Sequence, residues 1–152
     1  MKNSLMKAMK DSIFEVLETM FYLTIEINED ENQKQTIEVL DFNSCKLSFK
    51  GPFTGYFYTA CPEILLKKMT INFLGVDEEE VTNSHMQEMV KEMANIVAGN
   101  MFCKLDVNSE YKLGIPETVT EDISFSEENT DKQVNIYAET FENLIGFKVK
   151  IQ

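Results

Sequence analysis

The sequence predicts an α+β fold, an antiparallel β-sheet covered by two long helices and a shorter one. Three observations predict it. Apolar residues recur at gaps of three and four in two long stretches, near residues 3–21 and 83–104. Apolar and polar residues alternate in the segments between and after them. The elements follow in the order helix, strands, helix, helix, strands. With 152 residues, 43% hydrophobic and 26% charged, the chain has the size and composition of one globular domain, expected to span 1–152.

The opening helix is expected from Asn3 to about Phe21, with Met6, Met9, Ile13, Val16, Leu17 and Met20 in one stripe and Asn3 or Ser4 as its cap. The acidic, amide-rich run Asn28–Gln33 reads as a solvated loop. Three antiparallel strands fit the stretch up to Ala60: one around Ile37 and Val39, one around Leu47 and Phe49, and one from Thr54 to Ala60 after the Gly51-Pro52 turn. Pro62 stands near the first turn of a shorter helix, Glu63 to about Phe73, stopped by Gly75. After the charged linker Val76–Glu80, the second long helix runs from Asn83 or Ser84 to Lys104. At about 100° per residue, Met86, Met89, Val90, Met93, Ile96, Val97 and Met101 fill one arc, the expected core face. A loose acidic stretch follows to Asp131, and two strands, around Val134–Ala138 and Phe147–Ile151, close the chain.

Charge and cysteine usage narrow the function classes. The formal net charge is −12, from 26 acidic against 14 basic residues. Nucleic-acid binding draws most of its affinity from phosphate neutralisation, so this balance argues against it and against an anionic membrane surface. No apolar run approaches the roughly 18 residues of a membrane span. Asp11, Glu15 and Glu18 interrupt the first twenty residues at helical spacing, so that segment reads as part of the fold and not as a signal peptide. Cys45, Cys61 and Cys103 are an odd number without a C-x-x-C pair and read as small core or near-surface hydrophobes in a reducing cytoplasm, with a disulfide or metal role the lesser alternative. The single histidine, His85, has no second ligand or nucleophile nearby in sequence and reads as a surface or cap residue. Phosphate-binding, dinucleotide, serine-hydrolase and zinc motifs are absent, and no metal site is expected.

What carries chemistry is the long helix. On the same wheel Glu88, Glu92, Asn95 and Gly99 occupy a second arc about 60° wide, flanking the core stripe. Carboxylates, a carboxamide and a missing side chain therefore share an accessible ridge. A glycine inside a helix costs roughly 1 kcal/mol relative to alanine. Either close packing on the sheet or close approach of a partner accounts for it, and periodicity alone reads the ridge as an ordinary solvated face.

The string Glu92-x-x-Asn95-x-x-x-Gly99-Asn100 tips that balance. It comes with the opening helix Ile13–Phe21, the pattern Phe49-Lys50-Gly51-Pro52-Phe53-Thr54-Gly55, and the later Leu113-Gly114-Ile115-Pro116. In this order, over nearly the whole chain, the sequence resembles the CheC/CheX/FliY family of chemotaxis phosphatases, and most nearly its CheX-type single-site members. It departs from the family's usual pattern in carrying Glu88 where Asp or Ser is frequent, and in the spacing from Asn95 to Pro116. The opening helix offers Glu15-x-x-Glu18 where two-site members repeat Glu-x-x-Asn, so one competent site per chain is expected.

The resemblance implies a CheC-like fold and hydrolysis of the aspartyl-phosphate of a CheY-like response-regulator receiver in chemotaxis or two-component signalling. Asn95 would orient the attacking water, and Glu92 would pair with the receiver's lysine. Glu88 and Gly99 would line the partner contact. The chain itself would need no cofactor, because the phosphorylated receiver brings Mg²⁺. The resemblance also implies a homodimer with extended sheet contacts, for which the last strand, Phe147–Ile151, offers a candidate edge. The alternative is a non-catalytic module of the same fold that binds a receiver or a flagellar switch component. A small-molecule site at Tyr56, Phe57 and Tyr58 is better explained as strand packing.

Overall fold

The computed structural model describes residues 1–28, 42–141 and 143–152. The expected loop at Asn28–Gln33 and the strand around Ile37 and Val39 lie outside the described residues, apart from Asn28 at the end of a short strand. The elements are α1 (Lys2–Thr19), β1 (Glu26–Asn28), β2 (Phe42–Lys50), β3 (Thr54–Pro62), α2 (Glu63–Leu74), α3 (Asn83–Leu105), β4 (Lys112–Leu113), β5 (Glu117–Val119), β6 (Gln133–Thr140) and β7 (Asn143–Ile151), with a 3₁₀ turn at Glu78–Glu80.

Local chemistry sets the helix ends. Gly75 takes the left-handed conformation (φ 67°) and donates its N–H to Ile71 O, which closes α2 where the sequence places its stop. The start of α3 is a reciprocal cap: His85 N–H donates to Thr82 Oγ1 at 3.1 Å, and Thr82 N–H donates to His85 Nδ1 at 3.2 Å. His85 is thus a cap residue, three positions after the N-cap, which lies at Thr82, one before the expected Asn83. Helix α1 begins at Lys2 behind Met1, with no side-chain cap from Asn3 or Ser4.

The strands form one antiparallel sheet in the order β1-β6-β7-β3-β2-β4, with β5 also paired to β2. The alternation of the sequence decides its faces. Cys45, Leu47 and Phe49 of β2, Phe57 of β3, Val134, Ile136 and Ala138 of β6, and Ile145, Phe147 and Val149 of β7 are buried in the core beneath the helices. The other face carries Lys46, Tyr56, Tyr58, Asn135 and Lys150, flanked by the segment after β5, whose Phe125 packs edge-on against Tyr137.

Two expectations are corrected. β7 is an interior strand, laddered to β6 on one side and to β3 on the other, so it is not an edge that could pair with a second chain. Lys148 of this strand is buried, and its ammonium donates to Ser124 O and Glu127 Oε2, each at 3.1 Å. The acidic stretch before Asp131 also contains the short strands β4 and β5. Strands of two and three residues carry no readable period.

Candidate functional site: the exposed ridge of α3

Helix α3 is covered from more than one side. Met86, Met89, Val90, Met93, Val97 and Met101 are buried as the stripe predicts, but so are Ala94, Ala98 and Phe102, whereas Ile96 is only half-buried. The buried arc is wider than the sequence suggests because the sheet and a neighbouring helix both pack on it. That neighbour is α1. Ser12 Oγ donates to Val97 O at 2.8 Å in a fully buried contact, and Glu15 Oε2 lies 2.8 Å from Lys104 Nζ. Because these contacts advance together along both chains, α1 and α3 run side by side in the same direction.

The second pair is the best-developed electrostatic contact near the ridge. The Lys104 ammonium, by hydrogen bond and charge, holds the Glu15 carboxyl below its ordinary range, with a smaller contribution from the Asn100 amide. The same contact raises Lys104. Glu15 is therefore committed to tying α1 to α3. Nothing in sequence spacing marked this pairing beyond the presence of opposite charges on two amphipathic helices.

The ridge is what remains uncovered. Glu88, Glu92 and Asn95 are exposed and Gly99 is half-exposed, so the structure brings all four onto one accessible line. Glu88 is paired with Lys91 of its own helix at 3.5 Å. Among the described residues the side chains of Glu92 and Asn95 have no hydrogen-bond or ion-pair partner. Gly99 is not forced by packing within the chain. A Cβ there would meet only Leu113 Cδ1, at 3.7 Å, an ordinary van der Waals contact.

One flank of the ridge is α1, where Lys7 and Asp11 pair at 3.0 Å. The other is the segment returning from α3 toward the sheet. Phe102 stacks on Tyr111 with ring centroids 4.4 Å apart, and Leu113 stands beside Gly99. The ridge is therefore a shallow seat with a charged border on one side and an apolar border on the other.

Other candidates fall away. Phe57 is a core residue, whereas Tyr56 and Tyr58 are half-exposed on the outer sheet face. A cavity of about 410 Å³ on that face is lined by Lys46, Tyr58, Glu121, Glu127, Lys148 and Lys150 among others. Its charges largely answer one another: Lys148 is held by Glu127 at 3.1 Å, and Lys46 lies 3.9 Å from Glu117. Cys45 and Cys61 are buried thiols, with burial pushing Cys45 up to about 11, and Cys103 is exposed. Among the described residues no group of three or more His, Cys, Asp or Glu is placed to hold a metal ion, and no helix is long and apolar enough to cross a membrane.

Comparison with known proteins bears on the family and the fold. The family model "Chemotaxis phosphatase CheX" matches residues 44–139, which include α3 and its ridge. No curated protein matches the sequence. The fold is similar to the crystal structure of the chemotaxis protein CheX from Vibrio vulnificus, with a TM-score of 0.74 and 16% identity over 100% of this chain and 99% of that one. A chemotactic CheC-like protein from Shewanella oneidensis gives a TM-score of 0.71 and 18% identity over 100% of both chains. CheX in the CheX–CheY–BeF₃–Mg²⁺ complex from Borrelia burgdorferi gives 0.67 and 15%, over 97% of each chain. The chain accordingly shares the fold of these CheX and CheC-like structures. By its family match over most of its length, the chain belongs to the CheX family of chemotaxis phosphatases.

Proposed function

We propose that this chain removes the phosphoryl group from the aspartyl-phosphate of a CheY-like response regulator, with the exposed ridge of α3 as the working surface. The observation that carries the reading is the pair of unspent side chains, Glu92 and Asn95, one helical turn apart on that ridge. Membership of the CheX family, and a relative solved in complex with CheY, support a receiver of this type as the partner.

The chemistry asks little of the protein beyond positioning. In-line attack of water on phosphorus forms a new P–O bond and breaks the one to the receiver's aspartate. The products are inorganic phosphate and a free carboxylate. Hydrolysis of this kind is limited by placement of the water and by stabilisation of charge on the phosphoryl oxygens. An amide serves both needs, since its C=O accepts a hydrogen bond from water while its NH₂ donates to a phosphoryl oxygen. Asn95 has that role. Glu92 pairs with a lysine beside the receiver's phosphorylation site, which fixes register and speeds encounter more than it adds affinity. Glu88 extends the acidic edge, and Gly99 lets the partner's backbone approach the helix. Mg²⁺ arrives with the phosphorylated receiver, where it neutralises phosphoryl charge. Such a partner places the chain in the cytoplasm, in chemotaxis or a related two-component pathway. The alternative, a non-catalytic binding module, would bind the receiver without accelerating its dephosphorylation.

Asn95→Ala is expected to cut receiver dephosphorylation by about 100-fold or more while binding to the activated receiver persists, as checked by phosphate release and by titration. Undiminished turnover would remove the reading. Gly99→Ala has room for its methyl group, so it is expected to raise the unfolding free energy by about 0.5–1 kcal/mol in urea denaturation. The same substitution is expected to weaken receiver binding. Homodimerisation is part of the proposal, through a surface other than β7. Sedimentation at micromolar concentration is expected to give twice the chain mass, and a monomer would contradict it.

A further inference from the structure

The segment Gly114–Pro116 lies between two short strands that both pair with β2. Leu113 is laddered to Phe49 on one side of it and Glu117 to Lys46 on the other. Within it the Gly114 N–H donates to Ser48 O at 2.8 Å. A side chain on Gly114 would collide with Ser48 Oγ, so the glycine lets this turn sit directly on β2. Pro116 restricts the backbone further. Out of this pinned turn projects Ile115, 87% exposed, the most exposed of the large hydrophobic residues among those described.

Its position follows from contacts on either side. Tyr111 lies against Phe102, and Leu113 against Gly99. Farther along, Lys91 exerts its charge on Cys45, which is laddered to Thr118 next to Glu117. The strand therefore runs antiparallel to α3. The four steps from Leu113 to Glu117 cover three rungs of β2, about 10 Å, so Ile115 lies about 5 Å beyond Leu113, or three to four helical residues at 1.5 Å each. Ile115 falls level with Asn95.

A single exposed isoleucine is ordinary on a protein surface and by itself means nothing. Here it stands level with the proposed water-positioning amide along α3, on the apolar flank of the ridge, and its backbone is fixed before any partner arrives. Fixing a contact residue in advance removes ordering cost from association. We infer that Ile115 is a preformed docking residue that packs against an apolar patch of the phosphorylated receiver, at the border of its phosphoryl site. The inference rests on the phosphatase reading of the ridge. It adds an orientation: the receiver's apolar border faces the β4–β5 side, and its charged border faces α1.

The test is the affinity of the full chain for a purified receiver carrying beryllofluoride in place of the phosphoryl group, with Mg²⁺ present. Ile115→Asp is expected to weaken binding by about tenfold or more, with an unchanged thermal midpoint because the side chain supports no internal packing. Ile115→Leu is expected to bind as the parent does. Equal binding by Ile115→Asp, where the parent binds and Asn95→Ala loses turnover, would overturn the docking role and leave the phosphatase reading standing. Dissociation of a homodimer by Ile115→Asp, with receiver affinity unchanged, would overturn it in favour of a contact between copies. Failure of the parent chain to bind or dephosphorylate any receiver would overturn both.

Discussion

The arrangement of this molecule depends on how α3 is clamped. The sheet takes one side of the helix through Phe102, whose ring centroid lies 4.6 Å from that of Phe49, and α1 takes another through the buried hydrogen bond from Ser12 to Val97. A buried hydroxyl must find a partner or cost roughly 1–3 kcal/mol, so this contact fixes the register of two long helices that would otherwise slide. The Glu15–Lys104 pair adds a second tie one turn on along α1 and two along α3. With both sides occupied, the part of α3 left to solvent along Glu88–Gly99 is a narrow strip, and its position is determined by packing elsewhere.

That division explains where function resides. Two charged contacts away from the strip serve the fold: Lys148 is buried on Glu127 and Ser124, and Glu15 is tied to Lys104. The strip keeps a carboxylate and an amide without internal partners, next to a glycine whose missing methyl group the fold does not require. A helix holds such groups at a fixed separation without the entropy cost of a loop. This suits chemistry in which the partner brings the phosphoryl group and the enzyme places one water.

Much of this was legible in the sequence because it is local. The periods of α1 and α3, the αL stop at Gly75, and the alternation of β6 and β7 follow from near neighbours. The ridge itself needed only the helical wheel. Apart from the helix caps, the errors are long-range. Whether β7 lies inside the sheet or at its edge depends on β3, some 90 residues earlier, and no pattern within β7 records it. Ala94, Ala98 and Phe102 are buried because the sheet and α1 cover different sides of α3, which a single apolar stripe does not announce. β4 and β5 are too short to carry a period, so the placement of Ile115 level with Asn95 became visible only from the contacts of Tyr111 and Leu113.

The central claim is that an amide, acting as acceptor and donor at once, supplies the chemistry. The direct measurement is the rate of aspartyl-phosphate loss from a CheY-type receiver with Mg²⁺, with the parent chain, with Asn95→Asp and with neither. A carboxylate keeps the size and can still accept from water, but it cannot donate to a phosphoryl oxygen and it repels that oxygen's charge. The account expects acceleration by the parent and none by Asn95→Asp. Equal acceleration by both, or by neither, would contradict it.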